Sequence, residues 1–457
     1  MPSTLRLVLI ATTAAIGGFL FGFDTAVING AVGALQKQFH ASELGIGLTV
    51  SSALLGSALG AFVAGKIADR YGRARAMIVT ALLFVGSGVL SGAAFSLWDL
   101  SVWRFFGGIA IGMASVIAPA YIAEIAPAEL RGRLGSLQQL AIVVGIFAAL
   151  LGDFGIAAHA GSASANAWLG FAAWRWMFWS ELIPAVAYGL GALFIPESPR
   201  YLAARGRDAD ALLVLRSLMG DRADAKLREI RDTVEREHVP GMSDLFSRRY
   251  GLLPIVWIGI ALSVLQQLVG INVIFYYSSV LWQAVGFSEH DALAITVITS
   301  ITNIVTTLIA IAAIDRFGRK PLLIAGSIGM AATLGAMAFV FARAGFDAAG
   351  HPLLRSGDGV IALVAANVYV FCFGFSWGPV VWVLLGEMFN NRIRASALSL
   401  AAAAQWVANF AVSATFPLLQ KAGLGFAYGA YAAAAVVSLW FVLRWVRETR
   451  GKELEQM

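Results

Sequence analysis

From Gly251 to Ser288 the chain carries no Asp, Glu, Lys or Arg. A helix rises about 1.5 Å per residue, so roughly 20 apolar residues cross the ~30 Å hydrocarbon core of a bilayer. The run exceeds that length and is one of many like it. With 59% hydrophobic and 13% charged residues over 457 positions, the composition is not that of a soluble globular protein. Twelve spans are expected, roughly at 7–33, 44–65, 76–98, 100–123, 134–152, 172–195, 251–284, 292–314, 321–342, 359–385, 395–419 and 423–443. The fold class is therefore an all-α membrane protein embedded in the lipid bilayer. The first span is too long for a signal-peptide core and is read as retained.

The run from Gly251 is not purely apolar. It contains Gln266, Gln267, Asn272, Tyr276 and Tyr277 within twelve residues. Each amide needs hydrogen-bond partners, and hydrocarbon offers none, so the amides must face other helices or a wet cavity. On a straight helix Asn272 and Tyr276 share a face, while Gln266 and Gln267 point elsewhere. An unwinding near Gly270 brings them together, as in the broken helices of transporters. The plainer alternative is interhelical glue, at about 1 kcal/mol per bond; the density of polar groups favours a site for an uncharged, polyhydroxylated ligand.

Lys and Arg concentrate at 66–75, 131–133, 196–250, 316–320, 392–394 and 444–452, whereas the opposite loops hold only Lys37, Arg175, Arg343, Arg355 and Lys421. The positive-inside rule places both termini in the cytoplasm. It also accounts for the net charge of +6 without a nucleic-acid partner. The single cysteine, Cys372, excludes an internal disulfide and a Cys-rich metal site; no metal and no cofactor are expected. Nothing along the chain combines a nucleophile with a base or forms a phosphate loop, so the sequence does not read as an enzyme.

Asp24 is the only charge between Arg6 and Lys37. It sits about 13 Å below the outer end of its helix, and Arg104 in the fourth span about 6 Å below its own. Glu181, in the sixth span, falls at the depth of Asp24. Ionisable groups at such depth are functional candidates. Two acids and one base make an over-acidic cluster. Arg104 favours the ionised form of one carboxylate, whereas burial and the second carboxylate favour the proton. A proton-coupled switch needs that competition; a static buried pair beside a neutral acid is the alternative.

The chain repeats itself. Asp69-Arg70-Tyr71-Gly72-Arg73 follows the second span and Asp315-Arg316-Phe317-Gly318-Arg319 the eighth. Glu124 and Arg131 follow the fourth span with six residues between them; Glu387 and Arg394 follow the tenth with the same gap. Matching elements at matching places mark an internal duplication into two six-helix halves. We read 1–195 as the first half, 196–250 as a cytoplasmic helical linker, 251–446 as the second half and 447–457 as a tail. The charged residues of both repeats read as a cytoplasmic gate between helix ends, whose pairs part when the inner side opens. In the linker, Leu212, Leu215 and Met219, then Leu227, Ile230 and Val234, keep helical spacing.

The second half holds more polar and aromatic residues within its spans: Asn303 in the eighth, Trp377-Gly378-Pro379 with Trp382 in the tenth, Gln405, Trp406 and Asn409 in the eleventh. Pro379 is expected to kink or break its helix. The indole of Trp382 suits the C–H face of a sugar ring. No charged residue belongs to this set, which favours a neutral polyol over an anion or a cationic drug.

These motifs together resemble the sugar porter family of the major facilitator superfamily, over nearly the whole chain. The carrying elements are the two D-R-x-G-R turns, Pro196-Glu197-Ser198-Pro199-Arg200, Gln266-Gln267 with Gly270-Ile271-Asn272 and Tyr276-Tyr277, Trp377-Gly378-Pro379 with Trp382, and Gln405-Trp406 with Asn409. The resemblance implies the major facilitator fold, alternating access and a central monosaccharide site. It implies sugar contacts at Phe21, Gln266, Gln267, Asn272, Tyr276, Asn303, Gly378, Trp382, Gln405 and Trp406. Asp24 matches the acid that proton-coupled members carry in the first helix, with Arg104 and Glu181 as its neighbours. The implied reading is a sugar:proton symporter of a bacterial inner membrane, expected as a monomer. A facilitative uniporter on the same fold and a non-transporting sugar sensor are the rivals. Three positions depart from the family's pattern: Gly145 to Leu150 holds no Gln, Ala74 replaces a basic residue, and the tail reads Arg447-Glu448-Thr449-Arg450-Gly451.

Overall fold

The computed structural model describes residues 3–236, 245–247, 251–346, 352–354, 357–389 and 393–449. Twelve described spans are long and apolar enough to cross a bilayer. The first six comprise α1 (Ser3–Gln38), α2 (Glu43–Tyr71), α3 (Arg73–Ala93), α4 (Leu97–Ile125), α5 (Ala128–Ala160), and α6 (Ala173–Ser180) with α7 (Leu182–Phe194). Three shorter helices follow, α8 (Pro199–Ala204), α9 (Asp208–Met219) and α10 (Ala223–Arg236). The last six spans comprise α11 (Pro254–Leu268) with α12 (Ile271–Ala284), α13 (Glu289–Phe317), α14 (Arg319–Ala342), α15 (Asp358–Gly374) with α16 (Trp377–Met388), α17 (Arg394–Ala422) and α18 (Leu424–Trp445). They form two six-span bundles, the major facilitator arrangement. An even number of spans puts both ends of the chain at one face, which also carries the Lys- and Arg-rich turns; we call it the basic end and the other the far end.

Large apolar side chains cover the outside, among them Phe62, Ile183, Phe194 and Val360, each at least 66% exposed. A water-soluble surface does not carry so much apolar area; hydrocarbon contact explains it. At the far end, helices start on serine caps: Ser42, Ser96 and Ser288 accept from the backbone N–H groups of Gly45, Asp99 and Asp291, satisfying donors that the first helical turn leaves open. At the basic end, Gly72 (φ +97°) and Gly318 (φ +90°) turn α2 into α3 and α13 into α14. The duplicated glycines thus occupy a backbone region that other residues avoid.

Three of the spans are broken. The seventh breaks at Gly270, where the sequence places an unwinding. The tenth breaks at Phe375 and Ser376, ahead of Pro379. Pro379 itself lies in the first turn of α16, where a missing N–H costs nothing, so the proline follows the break instead of kinking a continuous helix. The sixth span breaks at Glu181, which the hydropathy pattern does not show. Pro184, three residues on, lacks the N–H that would bond the carbonyl of Ser180. Between the bundles, Leu215, Ala223 and Ile230 form a small separate core with Leu212, Met219 and Leu227 packed on it; the side chain of Val234 lies outside those described.

Candidate functional site

The break at Gly270 arranges the amides of the seventh span. Gln266 ends α11 and donates through Nε2 to the carbonyls of Trp377 (2.7 Å) and Gly378 (3.2 Å). The break of the seventh span is thereby bonded to that of the tenth. Gln267 donates to Gln266 Oε1 at 3.2 Å, and Asn272 donates to Gln267 Oε1 at 2.5 Å. The three amides form one chain on one side of the break, which a straight helix cannot provide. Their sequence-ordered donors and acceptors bond one another, and hydroxyl groups of a ligand can exchange with those bonds at little cost.

The other expected contacts gather unevenly. Tyr276 is buried and lies against the Asn409 side chain of α17; Asn409 also accepts from Ser413 Oγ at 3.1 Å. Gln405, one turn earlier, keeps a buried Oε1 without a partner among the described residues. Trp406 meets Phe21 of α1 with ring centroids 5.8 Å apart, a contact across the two halves. Asn303 of α13 faces Gly374 at the end of α15, where an added Cβ would lie 3.6 Å from Asn303 Oδ1. Trp382 is 39% exposed and makes no described ring contact or hydrogen bond with this set.

The first half contributes residues that the sequence reading passed over. Gln138 of α5 is buried against Gly18 of α1, and neither amide atom has a partner among the described residues. Gln139 beside it is half-buried. An amide pair inside an apolar span, as at Gln266-Gln267, was the available signal. Asp153 of α5 is also buried, with Oδ2 accepting from Gly30 N–H at 3.2 Å.

Asp24, Arg104 and Glu181 come together as one buried group, each at most 2% exposed. Arg104 Nη1 donates to Asp24 Oδ1 at 2.9 Å and Nη2 to the Asp24 carbonyl at 3.2 Å. Asp24 Oδ2 and both Glu181 oxygens have no hydrogen-bond partner among the described residues. Glu181 lies within electrostatic reach of Asp24 and Arg104, and so does the Tyr276 hydroxyl. Tyr276 thus links the ionisable cluster to Asn409 of α17.

At the basic end the duplicated motifs build matching networks. In the first half, Arg73 pairs with Asp69 (3.0 Å) and Glu124 (2.9 Å); Glu197 accepts from the N–H of Arg73 at 2.8 Å, and Ser198 donates to Glu124. In the second, Arg319 pairs with Glu387 at 2.7 Å, Glu448 accepts from the N–H of Arg319 at 3.0 Å, and Thr449 donates to Glu387 at 2.6 Å. Glu448-Thr449 thus occupies the place of Glu197-Ser198, a repeat invisible to the turn motifs alone. Each described pair lies inside one half. Arg70 and Arg316 stack on Tyr71 and Phe317, and the side chains of Arg131, Asp315 and Arg394 lie outside those described.

At the far end, by contrast, bonds cross between the halves. Asn29 of α1 donates to Phe275 O (2.9 Å) and Ser278 Oγ (3.1 Å) of α12, and Ser279 N–H donates to Asn29 Oδ1 at 3.2 Å. Glu289 of α13 accepts from Ala163 N–H at 2.7 Å. The far end is closed.

Two six-span bundles, a set of neutral amides and aromatic rings at broken helices between them, and one buried ionisable cluster define a secondary transporter of the major facilitator superfamily. The chain belongs to the family described as Sugar (and other) transporter, whose profile matches residues 10–457. It is 62% identical over 451 residues to the glucose transport protein of Synechocystis sp., across 98% of this chain and 96% of that one. It is 38% identical to the D-xylose-proton symporter of Escherichia coli, across 98% and 94%. The inward-open structure of the xylose transporter of E. coli superposes with a TM-score of 0.84 at 36% identity, covering 98% of each chain. The protein is a sugar transporter of this family and not an enzyme.

Proposed function

We propose that this transporter carries a monosaccharide, with D-glucose the first candidate, together with a proton into the cell. The glucose assignment draws on the 62% identical glucose transport protein, and the proton on the 38% identical D-xylose-proton symporter of Escherichia coli. The observation that carries the coupling is the Asp24–Arg104–Glu181 group, in which two buried carboxylates stand near one guanidinium that bonds Asp24. Protonation of Asp24 weakens its hold on Arg104 and changes the charge beside Tyr276, which also belongs to the sugar-facing set. The sugar binds Gln266, Gln267, Asn272, Asn303, Gln405 and Asn409, walled by Phe21, Trp382 and Trp406, with the Gly378 backbone approaching closely. Gln138 and Gln139 supply the donors of the first half that the run at Gly145 to Leu150 lacks.

The basic end faces the cytoplasm of a bacterial cell, following the Lys and Arg asymmetry; the far end faces outside, and the membrane is the inner membrane. The closed far end and the likeness to an inward-open xylose transporter support reading this as the inward-facing state. We divide the chain at the same places as above: 1–195, the linker 196–250, 251–446 and the tail, acting as one monomer. Because the described basic-end pairs lie inside each half, we assign them to holding each half rigid, with opening occurring between the rigid units.

Uptake into proteoliposomes tests this reading. Glucose, galactose, xylose, arabinose and inositol are offered with and without an inward proton gradient. Accumulation of glucose above the outside concentration, lost in Asp24→Asn, supports symport. Equilibration that ignores the gradient makes the protein a facilitator; no uptake of any sugar removes the substrate assignment.

A further inference from the structure

The break of the seventh span takes the helical donor away from the Val269 carbonyl. In a continuous helix the N–H of Val273 would donate to Val269 O, four residues back. Here it donates to Gly270 O at 3.2 Å, and the N–H of Gly270 donates to Gln267 O at 2.9 Å. Val269 is fully buried, so its carbonyl has no water to turn to, and a buried unpaired carbonyl is costly. Its partner comes from another helix. The hydroxyl of Tyr369, on α15 and itself fully buried, donates to Val269 O at 2.7 Å. From the other side the ring of Tyr431, on α18, lies against Gly270. A Cβ on that residue would fall 2.7 Å from the ring, and its φ of +81° disfavours any other residue.

We propose that Tyr369 is the positioning residue of the seventh-span hinge: its hydroxyl holds the broken conformation by occupying the carbonyl that a straight helix would claim for Val273. In the broken conformation the Tyr369 hydroxyl is the donor that Val269 O has in place of the Val273 N–H, and without it that buried carbonyl is left unpaired, so the ordered break loses stability. The hinge joins α11, which ends in Gln266 and Gln267, to α12, which carries Asn272, Tyr276 and the far-end contacts to Asn29. Tyr369 therefore acts on the sugar-facing amides and on closure of the far end without touching either. Tyr431 acts differently. Its ring fills the space over Gly270, while its hydroxyl has no partner among the described residues.

The proposal rests on the sugar-transport reading for its functional consequence, but the hinge itself is tested without sugar. Hydrogen–deuterium exchange of the full-length protein in nanodiscs is followed over peptides covering Leu268 to Phe275, in wild type, Tyr369→Phe and Tyr431→Phe. Tyr369→Phe is expected to raise exchange there about tenfold, the effect of one lost buried hydrogen bond, while Tyr431→Phe leaves it at the wild-type rate. In proteoliposomes, glucose counterflow by Tyr369→Phe is expected to show KM raised by a similar factor, with an unchanged melting temperature of the remaining helices by circular dichroism. Wild-type exchange in Tyr369→Phe overturns the proposal, as does equal acceleration in both variants, which would mean general loosening of the second half. If wild type moves no sugar while the exchange difference stands, the substrate reading fails and the hinge assignment survives.

Discussion

Arg104 holds Asp24 at two points, through Nη1 to the carboxylate and through Nη2 to the main-chain carbonyl of the same residue. The second bond does not depend on the charge of Asp24. The guanidinium therefore has an anchor when the carboxylate takes a proton, and its charge stays in the group instead of being released into an apolar interior. Glu181, without a hydrogen bond in this state, is the acceptor to which Arg104 can turn.

Asp24→Asn keeps an oxygen for Nη1 and keeps the main-chain carbonyl, so the fold is expected to survive. What it removes is the proton. Counterflow of glucose is expected to persist, whereas accumulation against a gradient falls to simple equilibration. Wild-type uptake is expected to rise as the outside is acidified, because the inward-moving form carries the proton, and the variant is expected to give a flat profile. Uptake at fixed sugar concentration across external pH checks both.

Arg104→Gln and Glu181→Gln should have opposite effects on stability. Losing the guanidinium leaves two buried carboxylates uncompensated, a loss of about 3 kcal/mol or more for a broken buried pair. Glu181→Gln keeps the side chain's size and the Arg104–Asp24 bonds but removes the second acid from beside Asp24, so its variant is expected to melt at or above the wild-type temperature. Thermal denaturation in one detergent compares the two directly.

The amide chain predicts unequal effects for neighbouring residues. Gln266→Ala removes both a proposed sugar contact and the bond to the Trp377 and Gly378 carbonyls after the tenth-span break, so it is expected to raise KM and lower stability by about 1 kcal/mol. Gln267→Ala removes bonds within the chain only, and is expected to raise KM about tenfold with little change in melting. Gln138→Ala and Gln139→Ala test the first half: a raised KM in either identifies the missing donor. Counterflow kinetics and melting curves on the four variants separate binding from stability.

Asn29→Ala removes three of the hydrogen bonds that close the far end. The equilibrium is expected to move toward the far-end-open state by about 1–3 kcal/mol. Spin labels at Leu44 and Lys421, on helices α2 and α17 that pack across the halves near this end, would report a longer second distance gaining population. An unchanged distance distribution would mean that the remaining cross-half packing alone keeps this end shut.

Much of this was legible along the chain. The apolar runs, the repeated D-R-x-G-R turns and the Lys and Arg asymmetry depend on composition and local spacing, and they specify twelve spans in two related halves. The depth of Asp24 along its helix is set by counting residues, as is that of Arg104. The amide cluster in the seventh span was visible because polar residues inside an apolar run stand out one by one.

Other features depend on contacts between residues far apart in sequence. Glu197 and Glu448 are equivalent only because each folds back to the first turn after a D-R-x-G-R glycine. Gln138 stands unpartnered only once α1 lies against it. The break ahead of Pro379 falls at Phe375 and Ser376, just before the Trp377 and Gly378 carbonyls that Gln266 bonds, and not where the proline sits. By itself the sequence determined the spans, their duplication and the chemical character of the site, because hydrocarbon imposes the same demands on every helix. Only the tertiary structure decided which end is closed, which carbonyl Tyr369 holds and which half each ion pair belongs to, because those outcomes are set by partners that local spacing does not specify.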